Sequence, residues 1–442
     1  MRGQPQRANG RGRAGWAAAL AALLAAAAAG WARPAPAAEA ANVILFIGDG
    51  MGFGQIEAGA CYVGAPLCFE NWTTRGEATT RSANAAITDS AASATAMATG
   101  HKVNNGVLSV ARPGDGEEYE TVLEYLQRHG KRTGLATSSY LTDATPAAFA
   151  AHEESRGYLA AIAADYLERA RPEVLLGGGG NGLRPADAAR AGYTVVTNRA
   201  ELLALDPAAV TRVAGLFGSG PLPYEGDERN GLPHLTDLVA VALDVLSRET
   251  NGFFLMAEGG RIDHACHATN IAWCVREVAE FDRAVQTAVA WASNRSDTLI
   301  LVTADHETGG LRVSQDNGPG QEPDVFWGSG NHTASNVGVY AWGPGAEAVA
   351  GLLDNTDVYR VLLWSQPLVL QAVAIGPAGE GEVFSRWDAR PGATCLLEAV
   401  QSAGQTNWTP LLAATADTHV LTFVDTNPPA ASARFYRLRT QR

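Results

Sequence analysis

Apolar runs that end on an acid recur along this chain. Asn42-Val43-Ile44-Leu45-Phe46-Ile47 is almost wholly apolar and runs into Gly48-Asp49-Gly50. Gly252-Phe253-Phe254-Leu255-Met256-Ala257 runs into Glu258, and Thr298-Leu299-Ile300-Leu301-Val302-Thr303 runs into Asp305-His306. A continuous apolar run of this length suits a strand buried on both faces, whereas a half-exposed strand alternates. Thr133 to Ser138, leading to Asp143, and Val174-Leu175-Leu176, leading to the glycines Gly177 to Gly180, read the same way. Between these runs the spacing predicts helices over Glu120–His129, Tyr158–Arg169, Leu235–Arg248 and Ala272–Asn294. Alternating strand and helix imply an α/β fold, a doubly wound, mostly parallel sheet with helices on both faces. Ligands of such sheets bind beyond the carboxyl ends of the strands, where these acids fall.

The pattern changes near Trp364-Ser365-Gln366-Pro367. From Leu368 the segments are short, alternating and turn-rich: Val383–Trp387, Thr394–Val400, Val420–Val424 and Phe435–Leu438. With Trp387, Trp408, Phe435 and Tyr436 as large apolar groups, residues 366–442 are expected to form a small all-β sandwich, with Gly376 to Glu382 as a loop. At the other end Arg2, Arg7, Arg11 and Arg13 precede an apolar run from Trp16 to Ala29, followed by Ala35-Pro36-Ala37. That is the form of a secretory signal peptide, spanning 1–38, and the run falls short of the roughly 20 residues a membrane span needs. The expectation is a secreted or periplasmic protein with no transmembrane anchor in the mature chain and its main domain at 39–365.

Composition narrows the function. The chain has 442 residues, 46% of them hydrophobic, and a net charge of −13. That charge argues against nucleic acid as a specific partner and suits cation binding. Five cysteines would meet an oxidising compartment. Cys61 and Cys68 are close in sequence, as are Cys266 and Cys274, so local disulfides and free buried thiols both remain open, with Cys395 left over.

Thr88-Asp89-Ser90-Ala91-Ala92-Ser93-Ala94-Thr95-Ala96 sets an acid and a serine before small residues that read as a helix start. Ser90 then sits in the first turn, where unpaired N–H groups and the positive end of the dipole favour an anion. A hydroxyl at such a corner is a candidate nucleophile for phosphoryl or sulfuryl transfer, although a serine before an Ala-rich helix is more often a plain N-cap. Four groups of metal-ligand residues weigh toward the first reading. They are Asp49, the stretch from Glu258 to His267, Asp305-His306-Glu307, and Asn331-His332-Thr333 in a glycine-rich loop. Asp263 and His267, at i and i+4, share one face of a helix and can grip one ion. Mixed carboxylate and imidazole ligands suit zinc, and a carboxylate- and hydroxyl-rich site suits magnesium. Two zinc ions about 4 Å apart would clamp the attacking and leaving oxygens of an in-line displacement. Arg156 can take two phosphate oxygens at once, with Asp89 placed to orient it.

Phe46-Ile47-Gly48-Asp49-Gly50-Met51-Gly52, Thr88-Asp89-Ser90-Ala91, Asp143-Ala144-Thr145-Pro146, Glu258-Gly259-Gly260-Arg261-Ile262-Asp263-His264, Ala304-Asp305-His306-Glu307-Thr308-Gly309-Gly310 and His332-Thr333 together resemble the alkaline phosphatase family. The resemblance covers about residues 42 to 364, in family order. It implies a metal-dependent phosphomonoesterase that forms a phosphoserine at Ser90, with two Zn2+ and one Mg2+ as cofactors. Asp263, His267 and His332 resemble ligands of the first zinc. Asp49, Asp305 and His306 resemble ligands of the second. Asp49, Thr145 and Glu258 resemble those of the magnesium site, which could also take zinc. Arg156 is similar to the family's phosphate clamp, and Asp143 and His264 stand where the family varies, tuning the third metal and phosphate release.

Two departures qualify the resemblance. Only 25 residues separate His306 from His332, where several members carry a subdomain at the dimer interface, so a monomer or a non-standard dimer is expected. The tail resembles fibronectin-like modules appended to secreted enzymes, and is a candidate for binding a surface or a polysaccharide. The alternatives are a phosphodiesterase of the same superfamily and a catalytically inactive secreted binding protein. A sulfatase is disfavoured, because Asp89-Ser90-Ala91-Ala92-Ser93 lacks the C/S-x-P-x-R motif.

Overall fold

The computed structural model describes residues 40–248, 250–364, 372–379, 382–388, 394–400, 408–415, 420–425 and 435–440. The segment read as a signal peptide lies outside them. Among the described residues fourteen strands precede the tail: β1 Asn42–Ile47, β2 Thr74–Thr79, β3 Arg132–Tyr140, β4 Val174–Gly178, β5 Thr194–Val196, β6 Val213–Phe217, β7 Phe253–Glu258, β8 Thr298–Thr303, β9 Glu307–Thr308, β10 Arg312–Gln315, β11 Asp324–Phe326, β12 His332–Thr333, β13 Val337–Trp342 and β14 Gly351–Asp354. Ten of them form one sheet in the order β14-β2-β13-β8-β1-β7-β3-β4-β6-β5. All its pairings are parallel except those of β13, which runs against β2 and β8.

β1, β7 and β8 are buried at every residue, as their unbroken apolar runs require. Ile47 of β1 pairs with Glu258 of β7 on one side and with Thr303 of β8 on the other. The three strands therefore end level, and Asp49, Glu258 and Asp305 emerge along one edge. The expected helices are present as Val122–Arg128, Leu235–Leu246 and Ile271–Ala292. The stretch read as one helix over Tyr158–Arg169 is α-helical over Leu159–Ala164 and continues in wider, π-type turns over Asp165–Ala170. The long helix Ile271–Ala292 packs on the sheet through Phe281, whose ring meets Phe46 edge-on at 5.8 Å. Phe281 is fully buried, and truncating such a ring costs about 3–5 kcal/mol.

The tail contributes β15 Ala372–Gly379, β16 Glu382–Asp388, β17 Thr394–Val400, β18 Thr409–Thr415, β19 Val420–Asp425 and β20 Phe435–Thr440. They form two antiparallel sheets, β15-β16-β19 and β18-β17-β20. Trp387, Leu421 and Phe423 of one sheet join Cys395, Leu397 and Leu438 of the other in an apolar cluster separate from the main core. The segment expected as a loop from Gly376 is instead strand through Gly379. β15 is an outer strand, where Pro377 and its missing N–H are tolerated. β18 leaves no alternating pattern in the sequence, because it is an outer strand that buries none of its residues.

Candidate active site

Ser90 opens the helix Ser90–Thr99 and is buried. Asp89, not Ser90, takes the N-cap, accepting a hydrogen bond from the Ala92 N–H at 3.0 Å. The serine hydroxyl is thus released from capping. Its Oγ lies 3.3 Å from His306 Nε2. That nitrogen is in turn 3.1 Å from Asp305 Oδ2 and 3.5 Å from Asp49 Oδ1. Asp49, Asp305 and His306 offer ligand atoms within 4.8 Å of one another, all three residues being buried.

A second group stands beside the first. Asp263 and His267 lie on the helix Arg261–His267, with His267 Nε2 3.2 Å from Asp263 Oδ2. His332 Nε2 is 3.1 Å from His267 Nε2 and 3.7 Å from Asp263 Oδ1. His332 is not in a free loop: β12 pairs with β9, setting His332 opposite Thr308.

Hydrogen bonds fix how these imidazoles point. His267 Nδ1 is 2.7 Å from the Gly330 carbonyl, and His332 Nδ1 is 2.9 Å from that of Thr88. Each Nδ1 must donate to a carbonyl, so in the neutral rings both Nε2 lone pairs face each other. Thr308 Oγ1 lies 2.5 Å from Asp263 Oδ1 and donates to it, so it can only accept from His306 Nδ1 at 3.2 Å. The Nε2 lone pair of His306 is therefore also turned inward. Three inward lone pairs among carboxylates are the arrangement a cation completes.

Unpartnered buried oxygens point the same way. Asp49 Oδ1, Asp305 Oδ2, Glu258 Oε1 and Thr145 Oγ1 are all buried without a hydrogen-bond partner. Such orphans are costly unless something neutralises them. Burial, then the charges of Asp305, Asp263 and Glu258, push the Asp49 carboxyl well up. Glu258 is pushed up to about 8 by burial and by Asp143. Burial opposes charge on Asp263 too, but hydrogen bonding from His267 and the nearby imidazoles hold it below the usual carboxylate range, and the Asp263 contact raises His267 to about 9. The residues present therefore fit zinc at the two mixed sets and magnesium at the oxygen-only set Asp49, Thr145 and Glu258.

Arg156 forks between two carboxylates, with Nη1 3.2 Å from Asp89 Oδ2 and Nη2 3.0 Å from Asp143 Oδ1. Burial opposes its charge, but Asp143, Asp89 and Asp49 more than offset that. About 35% of its side chain stays accessible, so a ligand can reach it. His264 receives Arg261 Nη1 at its Nδ1, 2.8 Å away.

Several supporting residues escaped the sequence reading: Thr308, Thr137, whose hydroxyl donates to Glu258 Oε2, and Ser139, whose hydroxyl donates to Asp143 Oδ2. A lone hydroxyl has no sequence signature. A further cluster, Glu225, His234 and Glu280, also has ligand spacing. Its acids are already held by Arg229 and Arg283, so it has no call for an ion.

The alkaline phosphatase family model matches residues 40–323 and 313–368. The chain belongs to the alkaline phosphatase family. It is 31% identical over 412 residues to alkaline phosphatase 3 of Bacillus subtilis, covering 73% of this chain and 88% of that one. The alkaline phosphatase of Thermus thermophilus superposes with a TM-score of 0.69 at 27% identity, covering 76% of this chain and 93% of that one. A variant of the enzyme from the Antarctic bacterium TAB5, solved with magnesium in its M3 site, superposes with a TM-score of 0.66 at 28% identity, covering 74% and 98%. The protein is accordingly a phosphomonoesterase of the alkaline phosphatase type. Among the described residues no helix is long and apolar enough to cross a membrane.

Proposed function

We propose that this enzyme is exported and hydrolyses phosphate monoesters through a phosphoserine at Ser90. Export is supported by the arginine-rich start, the apolar run Trp16 to Ala29 and the small residues at Ala35-Pro36-Ala37. Zinc is assigned to Asp263, His267 and His332 and to Asp49, Asp305 and His306, and magnesium to Asp49, Thr145 and Glu258. When bound, these cations supply the positive charge that lowers the pKa of a nearby hydroxyl and neutralises phosphate oxygens.

The observation that carries the reading is the place of Ser90 Oγ, 3.3 Å from His306 Nε2, at the first turn of a ten-residue helix. Ser90 Oγ, its proton released to solvent, attacks phosphorus from the side opposite the ester oxygen, and the leaving oxygen takes a proton from water and departs as the alcohol. The N–H groups of the helix face the anionic phosphoryl group. Arg156 holds two of its oxygens, its fork already braced by Asp89 and Asp143. Water then displaces Ser90 Oγ from phosphorus, releasing inorganic phosphate. A dianionic monoester rewards that bidentate cation more than a monoanionic diester does. Residues 366–442 are proposed to form an appended module that takes no part in this chemistry.

Monoester and diester turnover, measured on purified protein before and after chelation and on restoring zinc and magnesium, tests the reading. Monoester hydrolysis lost on chelation and restored by the two metals is expected. Faster diester turnover, or none after metal restoration, would overturn it.

A further inference from the structure

Cys266 and Cys274 are both fully buried, with their sulfurs 3.7 Å apart, at van der Waals contact. Cys266 lies on the helix Arg261–His267, one residue before His267 and three after Asp263. Cys274 lies in the first turn of the long helix Ile271–Ala292, which is capped by Asn270. The ligand helix is only seven residues long, too short to hold itself by its own hydrogen bonds. Its position depends on what it is fastened to, and one neighbour is the long helix, which packs on the sheet through Phe281. All five cysteines stand as thiols here.

We propose that Cys266 and Cys274 are a disulfide site, and that the bond clamps the helix bearing Asp263 and His267 to the long helix. The inference rests on the export reading only for its setting, an oxidising compartment. The two thiols lose two protons and two electrons to a disulfide-carrying oxidant, whose S–S bond is reduced to two thiols as the Cys266–Cys274 bond forms. Both sulfurs are closed off in the folded chain, so the bond forms during folding. The clamp keeps two ligands in place while an ion is absent, so the centre refills without rebuilding.

The full-length chain should be prepared from an oxidising compartment and, separately, from a reducing cytoplasm. Both are alkylated after denaturation without reductant and mapped by peptide mass. A Cys266–Cys274 linkage in the first preparation, with Cys61, Cys68 and Cys395 alkylated, is expected. Linkage absent from the first preparation, and formed only on refolding the second with oxidised glutathione, would show that the pair can bond but does not in an oxidising compartment, and would overturn the proposal. Alkylation of both thiols in every preparation would overturn the proposal. Joint replacement, Cys266→Ala with Cys274→Ala, should speed inactivation by a chelator about tenfold, since the open loop regains freedom on local unfolding. An unchanged rate in a folded double variant would overturn the clamp.

Discussion

Thr308 joins the two proposed zinc sets, and Thr308→Val isolates its part. The side chain is fully buried; its hydroxyl donates to Asp263 at 2.5 Å and accepts from His306 at 3.2 Å. Valine keeps the shape and removes the oxygen. Loss of a hydrogen bond to a charged acceptor costs about 1.5–3 kcal/mol, and leaving the His306 N–H without an acceptor costs about 1–3 kcal/mol more. Supporting partners of metal ligands typically control affinity by about 10–100-fold. Zinc binding should therefore weaken by that factor, with turnover largely recovered at saturating zinc, while Thr308→Ser keeps both hydrogen bonds and stays near the parent. A zinc titration against a competing chelator, read alongside turnover, measures it. If Thr308→Val binds zinc as tightly as the parent, the hydroxyl does not orient these ligands and the derivation of the inward lone pairs fails.

Gly50→Ala should be far more damaging than its size suggests. Gly50 has φ +68°, and an added Cβ would stand 2.8 Å from both Asp263 Oδ1 and Thr308 Oγ1. The shift it forces should lower kcat/KM by about a hundredfold, whereas Ala at an open surface turn would leave it unchanged. Arg156→Ala should cost about 10–100-fold, seen as weaker inhibition by inorganic phosphate, while Asp305→Ala costs far more; equal losses would show that the arginine does more than clamp. For the chelated enzyme, thermal stability should fall as pH rises from 7 to 9. His267, raised to about 9, contributes stability present below its unfolded pKa and lost as pH climbs through 9. Glu258, raised to about 8, likewise loses stability as pH passes from its unfolded pKa up through 8. The metal-loaded enzyme should lack both losses, so the gap in Tm between the two forms should widen with pH.

How much of this was legible in sequence depends on what each element must satisfy. β1, β7 and β8 are buried on both faces, so nothing but apolar residues serves there, and the acids at their ends stand out. The i, i+4 pair Asp263 and His267 was legible because one helical face carries both. β2 was not: Thr74–Thr79 has exposed positions and lies among the outer strands, where pairing with β13 and β14 decides its conformation. Nor was the pairing of His332 with Thr308, since two residues of ladder leave no period. Thr137, Ser139 and Thr308 were invisible because their work depends on distant partners.

The central claim is that the ligands gathered at the ends of β1, β7 and β8 make the Ser90 hydroxyl a nucleophile. Acid quenching of the metal-loaded enzyme during monoester turnover, followed by peptide mass mapping, tests it. The account predicts a phosphoryl group on Ser90 that appears with substrate and disappears on chelation beforehand. Full turnover with Ser90 never phosphorylated, or retained in Ser90→Ala, would contradict it.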